Sequence, residues 1–400
     1  MIQRTDYIEK IRPYIGKNVI KVLTGIRRCG KSCLLKMLKD TLVADGVSPE
    51  SMVFANFESR LDDSVRSVDA MYGRVRGVAD RRKGGGKTYL FFDEIQEVAG
   101  WEKLINSMTV DFDVDVYITG SNAKLLSSEL STYLGGRYVE FPIFPFSFKE
   151  AYPILQANGL ERRDAFAAYL RLGGMPFLYD AQMTEDGARA YLLDIFSSVV
   201  LKDIALRHKV RDIDMLERFL GYLVSEIAHP FSAVALTRYL KHERRGVGLE
   251  TIYNYLRYAI EACFAVPVKR YDLVGKELLS TQEKVYIADH GFREAMFGLN
   301  GQHIDRVLEN VVAIELMRRG WEVTVGRLRR TEVDFVASKG NERAYFQIAY
   351  MMPTEETRRR EFAPLAAIGD NFPKYVLTLD DVNFSEGGVI HMPFADFLLS

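Results

Sequence analysis

The sequence predicts an α/β protein: a parallel sheet wrapped by helices, then a mainly helical stretch, then a smaller α/β unit. Three observations carry this. Residues 1–147 alternate short β-branched or aromatic runs with helical patterns. A glycine-rich loop follows the first of these runs and opens a helix. Residues 291–400 read as helix, three strands, helix and strand.

Strands are expected at VIKVLTG (19–25), MVFANF (52–57), YLFFD (89–93), VDVYITG (114–120) and YVEFPI (138–143), each an apolar run bounded by polar or glycine-rich residues. RRKGGGKT (81–88) reads as a polar crossover loop. The prolines of FPIFPF (141–146) end the last strand, because proline cannot donate to a ladder. That places a first domain at 1–147 and a helical lid or connector at 148–225, with LGGMP (172–176) as its one strong turn. Residues 226–290 give a helix near Ser232–Lys241, the turn HERRGVG, a second helix over 249–262, and strands at 264–272 and 284–289. Helix, turn, helix and hairpin in that order is a winged-helix pattern. The last domain, 291–400, holds a helix over Val307–Gly320, strands in WEVTVGRL, EVDFVASK and RAYFQIAY, a helix over Glu355–Ala367 and a strand in PKYVLTL. No repeat or low-complexity tract interrupts this order.

At ~150 residues per domain, 400 residues imply two to three domains. Apolar residues make up 48% and charged residues 27%, which excludes wholesale disorder. Lys plus Arg (53) less Asp plus Glu (54) leaves −1, so any nucleic-acid surface has to be local. Three cysteines, Cys29, Cys33 and Cys263, build no disulfide framework, as expected of a reducing cytoplasm. MIQRTDYIEKIRPYIG has charges where a signal peptide needs an apolar core, and no stretch approaches ~18 consecutive apolar residues. A cytoplasmic location is expected.

GIRRCGKS (25–32) has the spacing G-x-x-x-x-G-K-[ST], between a strand and an amphipathic helix. Gly25 and Gly30 let the backbone turn its N–H groups towards phosphates, and the helix N-terminus adds its positive end. Gly25, Ile26, Arg27, Arg28, Cys29, Gly30, Lys31, Ser32 and Cys33 are expected to cradle a nucleotide. Lys31 would reach the β and γ phosphates, and Ser32 would hold Mg²⁺. Cys29 is a small filler. The second half of the constellation is YLFFDEIQ (89–96), an apolar strand ending in two acids. Asp93 suits a Mg²⁺ ligand, and Glu94 a base that orients the attacking water. ATP with Mg²⁺ is therefore the expected cofactor pair. In ITGSNAKLL (118–126), Ser121 or Asn122 either senses the γ-phosphate or caps the next helix.

GIRRCGKS, FFDEIQ, ITGSNAKLL, GGRYVEFPIFPFSFKEA, TIYNYLRYAIEACFAVPVKRYD and EKVYIADHGF together resemble a prokaryotic family. Its members join an AAA-type P-loop ATPase to a winged helix and a C-terminal domain of restriction-endonuclease-like fold and unknown function. The resemblance spans nearly the whole chain. It implies the ASCE branch of P-loop ATPases, with Glu94 as hydrolytic base. Arg137, just before the fifth strand, takes the place of an arginine finger for a neighbour's site, so a homo-oligomeric ring, commonly of six, is implied.

Residues 236–276 carry eight Lys or Arg against four acids, a local +4. The expected DNA contacts are Lys241, Arg244, Arg245, Tyr253, Arg257, Lys269 and Arg270, through an exposed helix face and a wing. The same module equally suits protein docking. In the last domain the resemblance places a metal site at Glu309, Asp334 and Gln347. Gln347-Ile348-Ala349 stands where Glu-x-Lys belongs, and Ala349 cannot stabilise a pentavalent phosphate, so a retired nuclease fold kept for binding or for packing the ring is the favoured reading. Glu332 and Lys339 are the neighbouring substitutes. The expected function is an ATP-driven machine acting on duplex or branched DNA, four-way junctions included by analogy with resolvases of that fold. The alternative is a nucleotide-dependent switch whose C-terminal modules bind protein.

Overall fold

The computed structural model describes residues 2–58, 67–82, 86–122, 136–181, 183–242, 246–298, 303–329 and 331–400. The chain forms two compact units that divide between Ile143 and Phe144, inside FPIFPF, with Glu261–Cys263 grouped with the first. No helix among the described residues is long and apolar enough to cross a membrane.

The first unit runs α1 (Thr5–Ile11), β1 (Ile20–Thr24), α2 (Lys31–Ala44), β2 (Met52–Asn56), α3 (Val68–Arg81), β3 (Thr88–Asp93), α4 (Trp101–Asp111), β4 (Val114–Gly120) and β5 (Tyr138–Pro142). All its strand pairs are parallel, in the order β2-β3-β4-β1-β5. Alternate residues of the strands, among them Val22, Leu90, Phe92 and Ile118, pack with Met71 and Val75 of α3 and Leu104 and Met108 of α4. α2 covers the other face against β3 and β4, where Phe91 stacks on Tyr117 at 4.9 Å. Strands covered on both faces must be apolar throughout, which is why these runs are legible in the sequence. Lys21 of β1 and Asp115 of β4 are buried charges within such strands. The Lys21 ammonium is held in an ion pair with Asp115, and Asp115 also accepts from the Tyr117 hydroxyl (2.9 Å) and the Gly16 N–H (2.8 Å).

The second unit opens with α5 (Phe148–Ala157), α6 (Arg162–Leu172), α7 (Pro176–Asp180) and α8 (Glu185–Ser198), which runs into a π-helical stretch, Val199–Leu206. Next come α9 (Ile213–Ser225), α10 (Ala233–His242), α11 (Leu249–Glu261), β6 (Ala265–Asp272), β7 (Glu277–Ile287) and α12 (Gly291–Phe297). It closes with α13 (Ile304–Arg318), β8 (Glu322–Leu328), β9 (Thr331–Lys339), β10 (Glu342–Ile348), α14 (Glu355–Ala366), β11 (Lys374–Thr378), β12 (Ile390–Pro393) and α15 (Phe394–Leu399).

Here the structure corrects the expected domain limits. The hairpin β6–β7 is not separate from the C-terminal strands, because β6 also pairs in parallel with β8. One seven-stranded sheet, β12-β11-β10-β9-β8-β6-β7, crosses the expected boundary at 290. The sheet satisfies an edge of β6 that a free wing would leave to solvent. The four expected domains are therefore two compact units. The short β12 and α15 carry too few residues for a periodic signal.

LGGMP is a turn at which two segments cross closely. A Cβ on Gly173, whose φ is +77°, would lie 2.1 Å from Asp289 Oδ1. Asp289 accepts from the Gly174 N–H (2.9 Å) and the Gly291 N–H (2.7 Å), and the neighbouring His290 contacts the Tyr169 carbonyl through Nε2 at 2.9 Å. Burial pushes the Asp289 carboxyl up to about 7 against its two N–H donors, and pushes the His290 imidazole down to about 4. The unfolded values are ~3.9 and ~6.5. A raised acid contributes stability that is present at low pH and lost as pH rises from about 4 to about 7. A lowered base contributes stability that is present above ~6.5 and lost as pH falls towards about 4. The two substitutions must therefore shift in opposite directions. Relative to the parent chain, His290→Gln is less damaging to the melting temperature at pH 5 than at pH 7, and Asp289→Asn is less damaging at pH 7 than at pH 5. Melting curves at the two pH values check both signs.

Candidate functional site

β1 delivers the chain into Gly25, where a Cβ would sit 2.2 Å from the Ile143 carbonyl oxygen and 2.9 Å from Cys29 Sγ, so no side chain fits. The loop continues through Arg28 (φ 68°) and Gly30 (φ 99°), both left-handed, and α2 starts at Lys31. No side chain of Gly30 caps the helix. The first N–H groups of a helix have no partner within it, and they carry its positive pole. Lys31 is buried, with Nζ 3.0 Å from the Gly25 oxygen, 3.2 Å from the Ile26 oxygen and 3.7 Å from Glu94 Oε1. Beneath the loop the buried Arg4 donates to the Cys29 carbonyl at 3.1 Å, and Arg27 pairs with Glu58 at 3.2 Å. Cys29 is buried, which raises its thiol pKa, whereas Cys33 is exposed on α2.

Asp93 ends β3, fully buried, and takes donors from three directions. Ser32 Oγ of α2 (3.0 Å) and Thr119 Oγ1 of β4 (2.6 Å) reach Oδ1, and Asn56 Nδ2 of β2 (3.0 Å) reaches Oδ2. Burial raises its pKa, and the two hydroxyl donors work against that. Glu94 follows in the left-handed region (φ 54°), and its N–H donates to Thr119 Oγ1 at 2.9 Å. Burial pushes Glu94 up, but the Lys31 ammonium, the Gln96 amide, Arg27 and the Ser121 N–H outweigh it and hold the carboxyl below its usual range. Ser121 N donates to Glu94 Oε2 at 3.2 Å. The Ser121 hydroxyl is buried without a hydrogen-bond partner among the described residues. Asn122 is buried beside it.

Lys31, Ser32, Asp93, Glu94, Ser121 and the loop 25–30 thus meet at one end of the sheet. Arg4, Asn56, Gln96 and Thr119 belong to the same constellation and escape a sequence reading. Asn56 offered one signal, a polar residue ending an apolar strand, as Asp93 ends β3.

Arg137 lies elsewhere. It is exposed, and its carbonyl accepts from the Ile20 N–H at the N-terminal end of β1. Five residues at ~3.3 Å separate it from Gly25, so it stands roughly 16 Å from its own loop. The basic set around α10 and α11 divides too. Lys241, Tyr253, Arg257 and Lys269 are exposed. Arg244 and Arg245 lie outside the described residues. Arg270 is not an open wing residue, because its guanidinium pairs with Glu332. The second metal site is not assembled either. Among the described residues no three His, Cys, Asp or Glu side chains form a metal-holding group. Glu309 is taken by Lys284 and Tyr286, Asp334 by the Ile348 N–H, and Gln347 by the Asp334 N–H. The cause is β7, whose place in the sheet brings Lys284 to these carboxylates. Lys339 bonds the Arg319 carbonyl instead.

A parallel sheet with a strand between the phosphate-loop strand and the acid-bearing strand, and both motifs at one end, defines a P-loop ATPase fold. Residues 17–152 match the family described as "AAA domain", and residues 163–303 match a "Domain of unknown function (DUF8612)". The chain is 36% identical over 385 residues to an uncharacterized protein of Haemophilus influenzae, covering 94% of this chain and 93% of that one. It belongs to the same family of AAA-domain proteins. It is also 27% identical to the uncharacterized protein MJ1544 of Methanocaldococcus jannaschii, covering 92% and 81%. Among solved structures, the Walker-type ATPase PABY2304 of Pyrococcus abyssi gives a TM-score of 0.48 at 15% identity, covering 74% of this chain and 95% of that one. The Thermotoga maritima RuvB Holliday junction branch migration motor gives 0.33 at 18%, covering 66% and 89%.

Thr119 joins the two acids, so its hydroxyl is the test of the constellation. Thr119→Val leaves a buried carboxylate and a buried N–H each one partner short, lowering stability by about 1–3 kcal/mol. Thr119→Ser keeps the hydroxyl and loses one methyl, lowering it by about 1 kcal/mol. Urea unfolding of the two variants distinguishes these values.

Proposed function

We propose that the chain hydrolyses ATP at the Lys31–Asp93–Glu94 site and couples turnover to DNA held by its second unit. The observation that carries the first half is the placing of Ser32 Oγ 3.0 Å from Asp93, with Glu94 beside the Lys31 ammonium at 3.7 Å, all at a helix N-terminus without a side-chain cap. Incoming phosphates would draw Lys31 off the Gly25 and Ile26 carbonyls and bring the loop amides onto their oxygens. Ser32 and Asp93 form a hard-oxygen pair suited to Mg²⁺, which would neutralise phosphate charge. Glu94, held ionised, is the base that orients water. The Ser121 hydroxyl, buried without a hydrogen-bond partner among the described residues, supports the sensing role for Ser121, with Asn122 beside it. Arg137 points to a neighbour's site and hence to a ring, since its own loop is out of reach.

For DNA, the outer face of α11 presents Tyr253 and Arg257 while Ile252, Tyr255 and Ala259 are buried, and Lys241, Lys269 and Lys276 are exposed nearby in sequence. Clustered cations of this kind neutralise phosphates. A docking role for protein has its own support in Val234, Tyr239 and Leu249, apolar side chains exposed by 52%, 59% and 43%. ATPase assays separate the two. Duplex DNA or a four-way junction raises phosphate release severalfold if DNA is the partner, and Arg257→Ala with Lys269→Ala removes the stimulation. A protein-docking switch shows no response to either DNA.

Glu94→Gln lowers turnover by about 10²–10⁴-fold while nucleotide binding persists in calorimetry. Full turnover in that variant rules out Glu94 as the base. Arg137→Ala and Lys31→Ala are each inactive alone. Mixed, they regain activity, because some interfaces then combine an intact Lys31 with a neighbour's Arg137.

A further inference from the structure

The carboxylates of the seven-stranded sheet already hold a cation of the protein's own. Lys284, on β7, is 5% exposed, and its Nζ lies 2.8 Å from Glu309 Oε1 and 2.7 Å from Glu332 Oε1. The other oxygen of Glu332 is paired with Arg270. Glu309 Oε1 also accepts from the Tyr286 hydroxyl at 2.6 Å. Asp334 Oδ2 accepts from the Ile348 N–H at 2.7 Å, and the Asp334 N–H donates to Gln347 Oε1 at 3.4 Å. The Gln347 amide in turn donates to Glu361 Oε2 at 3.2 Å, and Glu361 Oε1 is paired with Arg360 at 2.8 Å.

The residues present therefore do not fit a divalent ion. Of the oxygens that the sequence reading offered as ligands, Glu309 Oε1, Asp334 Oδ2 and Gln347 Oε1 each face a donor from the protein. Glu309 and Glu332 are paired with Lys284, Glu332 also with Arg270, and Glu361 with Arg360, while Asp334 accepts from the Ile348 N–H, which leaves little negative charge to attract a second cation. An ion placed against Glu309 would also stand next to an ammonium that cannot retreat to water, since Lys284 is buried on β7 between α13 and β9.

We infer that Lys284 is the resident cation of this cluster, occupying the place of a divalent metal, and that removing its charge lets Glu309, Glu332 and Asp334, which form no metal-holding group around the ammonium, close on a Mn²⁺ or Mg²⁺ ion. The ammonium bridges α13 to β9 and so fastens the helix to the sheet without metal. Ammonium and divalent ion are then alternatives at one place.

The test is a Mn²⁺ titration of the nucleotide-free full chain, followed by the electron paramagnetic resonance of free Mn²⁺. The variants are Asp334→Asn, Lys284→Met and the double substitution. Lys284→Met keeps the apolar stem and loses the charge. The expected result is the same Mn²⁺ binding in the parent chain and Asp334→Asn, at least tenfold tighter binding of an additional ion in Lys284→Met, and loss of that ion in the double variant. Binding by the parent chain that Asp334→Asn abolishes overturns the inference. So does a folded Lys284→Met, by circular dichroism, that gains no ion. Should Lys284→Met fail to fold, Lys284→Gln takes its place under the same two criteria. If neither folds, the comparison of the parent chain with Asp334→Asn decides: equal binding upholds Lys284 as the resident cation, and unequal binding refutes it.

Discussion

A carboxylate buried in a sheet has to be supplied with donors, and the whole phosphate site is organised by how Asp93 meets that requirement. Its oxygens take hydrogen bonds from Ser32, Thr119 and Asn56, which sit on α2, β4 and β2. Three elements that are distant in sequence are thereby brought to one end of the sheet. Thr119 then extends the constraint by one residue. The oxygen that donates to Asp93 accepts the N–H of Glu94 and holds that residue in a left-handed conformation, which alone costs on the order of 1–3 kcal/mol. The adjacent acids thus acquire opposite characters. Asp93 is raised by burial, and Glu94 is held ionised mainly by the Lys31 ammonium.

The second unit solves the same problem twice with different means. At the crossing of LGGMP and ADHGF, the hydrogen bonds to Asp289 among the described residues come from the main-chain N–H groups of Gly174 and Gly291, which neutralise less than a paired cation does, and its carboxyl stays high at about 7. In the seven-stranded sheet, Glu309 and Glu332 receive a full ammonium from Lys284. Backbone donors require close approach, and close approach requires glycine at 173. An ammonium on a long stem requires only that its strand be placed correctly.

The first unit was largely readable in advance. Strands covered on both faces must be apolar along their length, so β1, β3 and β4 stand out, and the phosphate loop and the paired acids sit at their ends because loops and strand ends are where polar residues are tolerated. Lys21 shows the limit of that reading. It lies in the middle of an apolar run, and nothing nearby in sequence reveals that Asp115 of β4 is its partner. The second unit was read correctly for most helices and strands, yet its architecture was not. β6 and β7 look like a self-contained hairpin from their spacing, and the pairing of β6 with β8 joins them to strands more than fifty residues later.

By itself the sequence determined the parallel α/β class, the loop 25–32 and the pairing of Asp93 with Glu94, because periodicity and motif spacing are local properties of the chain. Tertiary structure decided which donors complete Asp93, that Arg137 lies far from its own phosphate loop, that Arg270 is held by Glu332, and that Lys284 fills the C-terminal carboxylate cluster. Each of these depends on which strand lies beside which. Strand order is set by the burial of whole faces and the satisfaction of whole edges, and no stretch of consecutive residues encodes it.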